Sequence, residues 1–200
     1  FTAANFLSYG NNLTVVRAVG DGANNATVSG NIQIKNRDVF ESTMLNTSQG
    51  NTYGGFMAKY PGALGNSLQV SVCDNSTDFA SWLYKGYFSS APGTSAQVSA
   101  AGGSFDELHI VVYDSEGKFS GTVGTILEKF AYVSQARDAK KSDGSSNYYK
   151  DVLNATSKYV WWTDHDSVLT KAGDTAGGTT GTGAPGSGTV FTTSPVAIQY

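Results

Sequence analysis

The order of apolar and polar positions divides the chain into short strands and shorter helices. Residues 1–9 place Ala3, Phe6 and Leu7 on one face at helical spacing, and Gly10 follows where a left-handed C-cap is wanted. The run Leu13-Thr14-Val15-Val16-Arg17-Ala18-Val19 is rich in β-branched residues and predicts a buried strand. A Gly/Asn/Asp-rich connection covers 20–30, and Ile32 and Ile34 then alternate with polar residues as a short strand would. Asn36 or Asp38 is placed to cap a helix carrying Val39, Phe40, Met44 and Leu45, which fades into the polar residues 46–53. Tyr60-Pro61-Gly62-Ala63-Leu64-Gly65-Asn66 is a turn cluster. Leu68, Val70 and Val72 after it predict a strand with one buried face.

Residues 79–88 are aromatic-rich and suit a short helix and a strand edge, and 89–103 read as loop. Leu108-His109-Ile110-Val111-Val112-Tyr113 is the strongest strand, followed by the hairpin signal Asp114-Ser115-Glu116-Gly117. Residues 123–134 predict its partner, with Ile126, Glu128, Phe130 and Tyr132 on one side and Leu127, Ala131 and Val133 on the other. A helix over 147–154, capped by Ser146 or Asn147, and a strand over 158–162 complete the series. Residues 173–189 are nearly all Gly, Thr, Ala and Ser and predict a low-complexity loop. Short β-like runs follow at 189–191 and 196–198. Strands alternating with short helices, without regular βαβ spacing, predict an α+β fold. Its core is a mixed or antiparallel sheet flanked by short helices, with Gly/Ser/Thr-rich loops.

Composition narrows the class. Charged residues make up only 14% of the chain, below the roughly 25% of an average soluble domain. Such a neutral polar surface suits a subunit that meets other proteins over much of its area, and suits an extracellular β-module equally. The net charge of −3 leaves no electrostatic footprint for nucleic acid. No run of about 18 apolar residues is present, so no membrane-spanning helix is predicted. The single cysteine, Cys73, excludes an internal disulfide framework and points to a reducing place of synthesis. The opening Phe1-Thr2-Ala3-Ala4 falls inside a helical pattern with no initiator Met, as expected of a piece of a longer protein.

Each motif that could carry chemistry has a plainer structural reading. Gly181-Thr182-Gly183-Ala184-Pro185-Gly186 matches a dinucleotide fingerprint by letters, but it sits in low-complexity sequence without the strand and helix that its mechanism requires. In Asp164-His165-Asp166 a strand would send the carboxylates to one face and the imidazole to the other. His109, the other histidine, lies inside a strong strand as a core or face residue, and Cys73 shares a strand face with Ser71 as a small buried thiol. Asp106-Glu107 and Asp114/Glu116 flank the hairpin and read as turn and edge charges. Asn-x-Ser/Thr sequons at Asn12, Asn25, Asn46, Asn75 and Asn154 are expected by chance in so Asn-, Ser- and Thr-rich a chain. Trp161-Trp162, being adjacent, face opposite ways and cannot form one sugar-stacking platform. No catalytic residue, metal ligand or cofactor-binding residue is therefore assigned.

Two segments resemble the contractile phage tail sheath family, with the T4-like sheaths as the nearest likeness. In the first, Ala4-Asn5-Phe6-Leu7-Ser8-Tyr9-Gly10-Asn11-Asn12-Leu13-Thr14-Val15-Val16-Arg17-Ala18-Val19, a helix ends in a Gly-Asn turn and leads to a strand closing on Arg-Ala-Val. In the second, Ala58-Lys59-Tyr60-Pro61-Gly62-Ala63-Leu64-Gly65-Asn66-Ser67-Leu68-Gln69-Val70-Ser71-Val72, Tyr-Pro-Gly precedes Gly-Asn and a strand. Pro61 fixes φ and Gly62 permits a positive one, which together favour a type II turn. The order of elements from Asp106-Glu107-Leu108 to Tyr159-Val160-Trp161-Trp162 is similar as well.

The resemblance implies a structural subunit and no enzyme. Copies would stack as hexameric rings around a tail tube, bounded by baseplate and tail terminator. Contraction of the sheath would drive the tube through the host envelope for genome ejection. Such a protein is made in the bacterial cytoplasm and resides in the virion. Residues 1–165 would be the core module, with 20–35 a shortened connection where other members insert a protruding domain. Residues 166–200 would hold the loop and the start of a following β segment. A bacteriocin or secretion-type contractile machine is the alternative within the architecture, and a secreted aromatic-rich carbohydrate-binding module the alternative outside it.

Overall fold

The computed structural model describes residues 2–27, 30–44, 53, 55–100, 102–163 and 196–197. Its elements run α1 (Thr2–Leu7), β1 (Asn25–Thr27), α2 (Arg37–Thr43), β2 (Phe56–Pro61), β3 (Leu68–Cys73), α3 (Ser76–Phe79), α4 (Ala96–Ala100), β4 (Glu107–Asp114), β5 (Thr125–Ser134), α5 (Tyr149–Thr156), β6 (Val160–Trp162) and β7 (Val196–Ala197). One sheet has the order β1-β2-β6 and the other β5-β4-β3-β7, with antiparallel neighbours throughout. This is the α+β architecture that the alternation of segments predicts.

Period-2 alternation sorts the side chains into layers. Phe56 and Ala58 of β2 and Val160 and Trp162 of β6 face Leu68, Val70 and Val72 of β3 and Leu108, Ile110 and Val112 of β4. Tyr149, Val152 and Leu153 of α5 fill the same layer. The intervening residues point outward: Met57 and Trp161 meet Phe40 of α2 and its C-cap Met44, and Cys73, Val111 and Tyr113 meet Trp82 and Tyr84. β3 is therefore buried on both faces, where the sequence predicts one. The second cover comes from residues 79–88, whose Trp82 donates its indole N–H to Ser71 Oγ at 2.9 Å. Trp161 and Trp162 do face opposite layers, as their adjacency requires.

Several expected elements are corrected. Residues 13–19 form no strand and join neither sheet, with Val15 77% and Val16 87% exposed. Gly10 is not left-handed, since the turn after α1 closes with its N–H on the Phe6 carbonyl at 3.0 Å. The segment holding Ile32 and Ile34 is not a strand. Its backbone instead meets Asn25, whose side chain donates to the Ile34 and Ala58 carbonyls and accepts the Ile34 N–H. A short helix, α4, interrupts the loop expected over 89–103. Residues 79–88 contain a 3₁₀ turn at Lys85–Tyr87 and no strand.

The turns differ too. Gly62 has the positive φ expected, but at φ 118 and ψ 163 it is too extended for a type II turn, and a 3₁₀ turn at Ala63–Ser67 makes the reversal. Gly65 within it is a close approach: a Cβ there would lie 2.9 Å from the Cβ atoms of both Ala26 and Ala58. β5 pairs with β4 as expected, but irregularities between Leu108 and Ile110 and between Val112 and Tyr113 break its simple alternation. Phe130 consequently joins Leu127 and Val133 against the inter-sheet layer, while Ile126 packs on the opposite side. Helix α2 is capped by Asn36, as predicted. Helix α5 starts later than expected: Asn147 spends its amide on the Tyr132 carbonyl at 2.8 Å, and Ser146 accepts the Tyr148 N–H at 3.3 Å.

Candidate functional site

Among the described residues, the N-terminal ribbon, made of α1 and residues 8–19, leaves several large apolar side chains exposed. No residue of α1 is buried, Tyr9 is 94% exposed, and Phe6, Leu7, Val15 and Val16 are exposed as well. Large apolar side chains left in water on one short segment suit an interaction surface. Arg17 ties the ribbon down: its guanidinium donates to the Pro61 carbonyl. Gly62 makes room for that contact, since a Cβ there would lie 2.8 Å from the guanidinium nitrogen.

Beneath Arg17 lies a small cavity of about 70 Å³, lined by Tyr60, Leu64, Leu68, Phe119 and Tyr159 among others. Phe119 and Tyr159 meet edge to face at 5.4 Å. The volume is far below the 300–1,000 Å³ of ordinary small-molecule sites. Tyr60, near the end of β2, and Leu64, in the turn after it, both line the cavity and are exposed. This geometry fits contact with another protein surface better than it fits a substrate.

The candidate chemical residues among those described are instead tied into the scaffold. Asp114 is no turn charge: it is fully buried at the end of β4, and the 115–124 loop is wrapped around it. One carboxylate oxygen accepts the Ser67 hydroxyl and the Lys118 N–H (3.0 Å). The other accepts the N–H groups of Phe119 and Ser120 and the Ser120 hydroxyl, each at 2.8 Å. Burial opposes ionisation, but these donors outweigh it and hold the carboxyl down at about 2. Asp106, also expected at an edge, is fully buried and accepts the Ser95 N–H and the Ser134 hydroxyl. Glu107 accepts the Gly93 N–H at 2.9 Å.

The remaining candidates are equally committed. Cys73 is buried, and desolvation pushes its thiol up to about 12. Next to it Asp74 is also buried. It takes one bond from Asn75 while its Oδ2 has no partner, so burial raises its carboxyl to about 6 against the help of Asn75. His109 is fully buried within an aromatic cluster. Among the described residues no group of three His, Cys, Asp or Glu side chains could hold a metal ion. Nor is any helix among them long and apolar enough to cross a membrane. Asp164-His165-Asp166 and the Gly181–Gly186 motif lie outside the described residues, as does Asn46.

Three of the sequon asparagines do structural work. Asn25 is buried with three hydrogen bonds, Asn75 caps α3, and Asn154 accepts the Trp162 N–H at 2.8 Å. The aromatic side chains of Trp82, Trp161 and Trp162 are all buried, which removes them from any sugar platform. Sequence reasoning missed the burial of Asp106, Asp114 and Asp74. The signal available was weak: a carboxylate at each end of a continuous apolar strand, with Ser, Gly and further Ser close by.

Among the described residues, large apolar side chains are left open on the ribbon, while the carboxylates of Asp106, Glu107 and Asp114 are spent on internal hydrogen bonds. The chain is 34% identical over 125 residues to the "Tail sheath protein" of Salmonella phage ViI. That match covers 62% of this chain and 17% of the phage protein, so the chain spans only a small part of its relative's length. No family model matches the chain.

Proposed function

We propose that this chain is part of a structural subunit of a phage tail sheath, working by assembly with further copies and not by catalysis. The observation that carries this reading is the 34% identity over 125 residues to a phage tail sheath protein. The exposed ribbon supports it, because an assembling subunit needs apolar surface that its own fold leaves uncovered. Residues 1–165 are the core module in this reading, and 166–200 belong to a following segment. The finer features come from the resemblance of the two landmark segments to contractile, T4-like sheaths. Copies form hexameric rings around a tail tube between baseplate and terminator, and contraction repacks their interfaces to a lower free energy during genome ejection. Similarity to a phage protein favours a virion over a bacteriocin or secretion machine.

Expression of the gene product carrying this chain tests the reading by light scattering and electron microscopy. Rings or tubes of repeating subunits are expected. A protein that stays monomeric at high concentration, with and without tail tubes, overturns it.

A further inference from the structure

On the outer face of β4, His109 sits at a junction that the assembly reading does not use. Its ring stacks on Phe88 at 4.2 Å and 10°, and meets Tyr132 edge to face at 4.5 Å. Phe79 and Trp82 lie beyond, at 5.8 and 6.4 Å. Nε2 is 2.9 Å from the Ser90 carbonyl, and Nδ1 is 3.2 Å from the Tyr132 backbone N–H. A carbonyl can only accept and an amide N–H can only donate, so the ring must be neutral with its proton on Nε2. Tyr132 itself is held left-handed at φ 54, where β5 carries an extra residue opposite His109. Its hydroxyl returns to the same segment, 2.8 Å from the hydroxyls of both Ser89 and Ser90.

We propose that His109 is an acid-sensitive latch: the neutral imidazole bridges residues 79–93 to the bulge of β5, and a proton on Nδ1 breaks the bridge at its Tyr132 end and loosens the segment. The protonated ring would present N–H to the Tyr132 N–H, two donors face to face inside an aromatic cluster. Burial already favours the neutral ring, since desolvation lowers its pKa below the ordinary 6.5 despite the opposing bond to Ser90. The folded chain thus binds the proton less readily than the unfolded one. The bridge is complete above the ordinary value and is lost as pH falls through the depressed one.

The titratable groups packed around the ring do not supply a counter-charge that would hold the protonated form. From β3, Cys73 faces His109 directly across the ladder and is kept neutral by its raised pKa. Asp74 follows it, and Asp78 in α3 is bonded to Asn75. On β4, Glu107 is committed to the Gly93 N–H. From β5, Lys129 reaches the Tyr87 carbonyl at 3.3 Å and adds a positive charge, while Tyr132 is spent on Ser89 and Ser90. On the segment itself Lys85 bonds the Ala80 carbonyl, and Tyr84 packs on Tyr113. Asp74 titrates in a neighbouring range with the opposite sign, so it needs its own control.

Hydrogen exchange with mass spectrometry between about pH 7.5 and about pH 5 tests the latch, after correction for intrinsic exchange rates. Peptides over 79–93 should open up to about tenfold faster per unit below the ring's ordinary pKa, while β3 and β4 stay protected. The dependence should vanish in His109→Gln and survive in Asp74→Asn. Pure pH-independence, or an equal rise in His109→Gln, overturns the proposal. Should His109→Gln fail to fold, NMR of the ring nitrogens decides it, with His165→Gln leaving a single histidine. A ring that titrates at its ordinary value while 79–93 stays protected overturns the latch as well.

Discussion

Replacing Asp114 by Asn changes one oxygen to an NH₂ and removes one charge from a fully buried position. The amide oxygen can keep the Phe119 and Ser120 N–H groups and the Ser120 hydroxyl, each now held at 2.8 Å. The NH₂ then faces Ser67 and Lys118. The Ser67 hydroxyl must stop donating there, and the Lys118 N–H keeps only its longer contact to Ser67 Oγ at 3.4 Å, a joint cost of about 1–2 kcal/mol. The three surviving bonds lose their charge assistance, roughly 1 kcal/mol each before non-additivity. The expected destabilisation is about 3–5 kcal/mol at neutral pH, or a fall in melting temperature of roughly 10 °C for a chain of this length. Urea unfolding of both proteins measures it. The native carboxyl titrates near 2 instead of 3.8, a depressed value, so its contribution is present above the unfolded pKa and is lost as pH falls through the folded one. The gap between the two proteins should therefore narrow between pH 3.8 and about 2. A difference below about 1 kcal/mol, or one that does not change with pH, would refute the claim that this carboxylate organises the loop.

Asp74 predicts the reverse trend, because burial raises its carboxyl from 3.8 to about 6. Asp74→Asn should gain stability relative to the native chain as pH rises through that window, by roughly 1–3 kcal/mol; a pH-independent difference in urea unfolding would count against it. Gly65→Ala forces a Cβ to within 2.9 Å of Ala26 and Ala58 and should cost about 1–3 kcal/mol by the same assay; a neutral substitution would mean that the turn yields freely. The Cys73 thiol, raised to about 12 by burial, should resist alkylation in the native chain and react once it unfolds; stoichiometric labelling before unfolding would contradict its placement.

The parts of the fold legible in the sequence are those fixed by local periodicity. Leu68-Val70-Val72, Leu108-Ile110-Val112 and Val160-Trp162 alternate plainly, and all end in one layer. The parts that were not legible depend on groups far apart in sequence. Nothing near Asp114 announces that Ser67, 47 residues earlier, will share its carboxylate. The second cover over β3 needs Trp82 to reach Ser71, which alternation within either segment cannot express. Likewise the irregular pairing opposite His109 follows from Tyr132 adopting a left-handed backbone that its residue type disfavours. The landmark Tyr60-Pro61-Gly62 was visible as a turn, but its geometry answers to Arg17, whose guanidinium occupies the space beside Gly62.

The ribbon is where local preference and the observed structure disagree most, and it yields the sharpest test of assembly. Leu13 to Val19 has a strand's composition, yet Val15 and Val16 are 77% and 87% exposed and join neither sheet. A segment whose propensity is unmet by its own fold is a candidate for a contact with something else. Replacing both Val15 and Val16 by Asp should leave the stability of the chain itself within about 0.5 kcal/mol, as for other surface positions. If assembly covers the two side chains, each contributes about 1.5–3 kcal/mol of burial there, and an unpaired carboxylate in its place costs more still. The double variant of the gene product should therefore fold normally and fail to form rings or tubes. Assembly at native levels would remove the ribbon from the interface. A loss of more than about 1 kcal/mol in the isolated chain would show instead that the ribbon packs on its own fold.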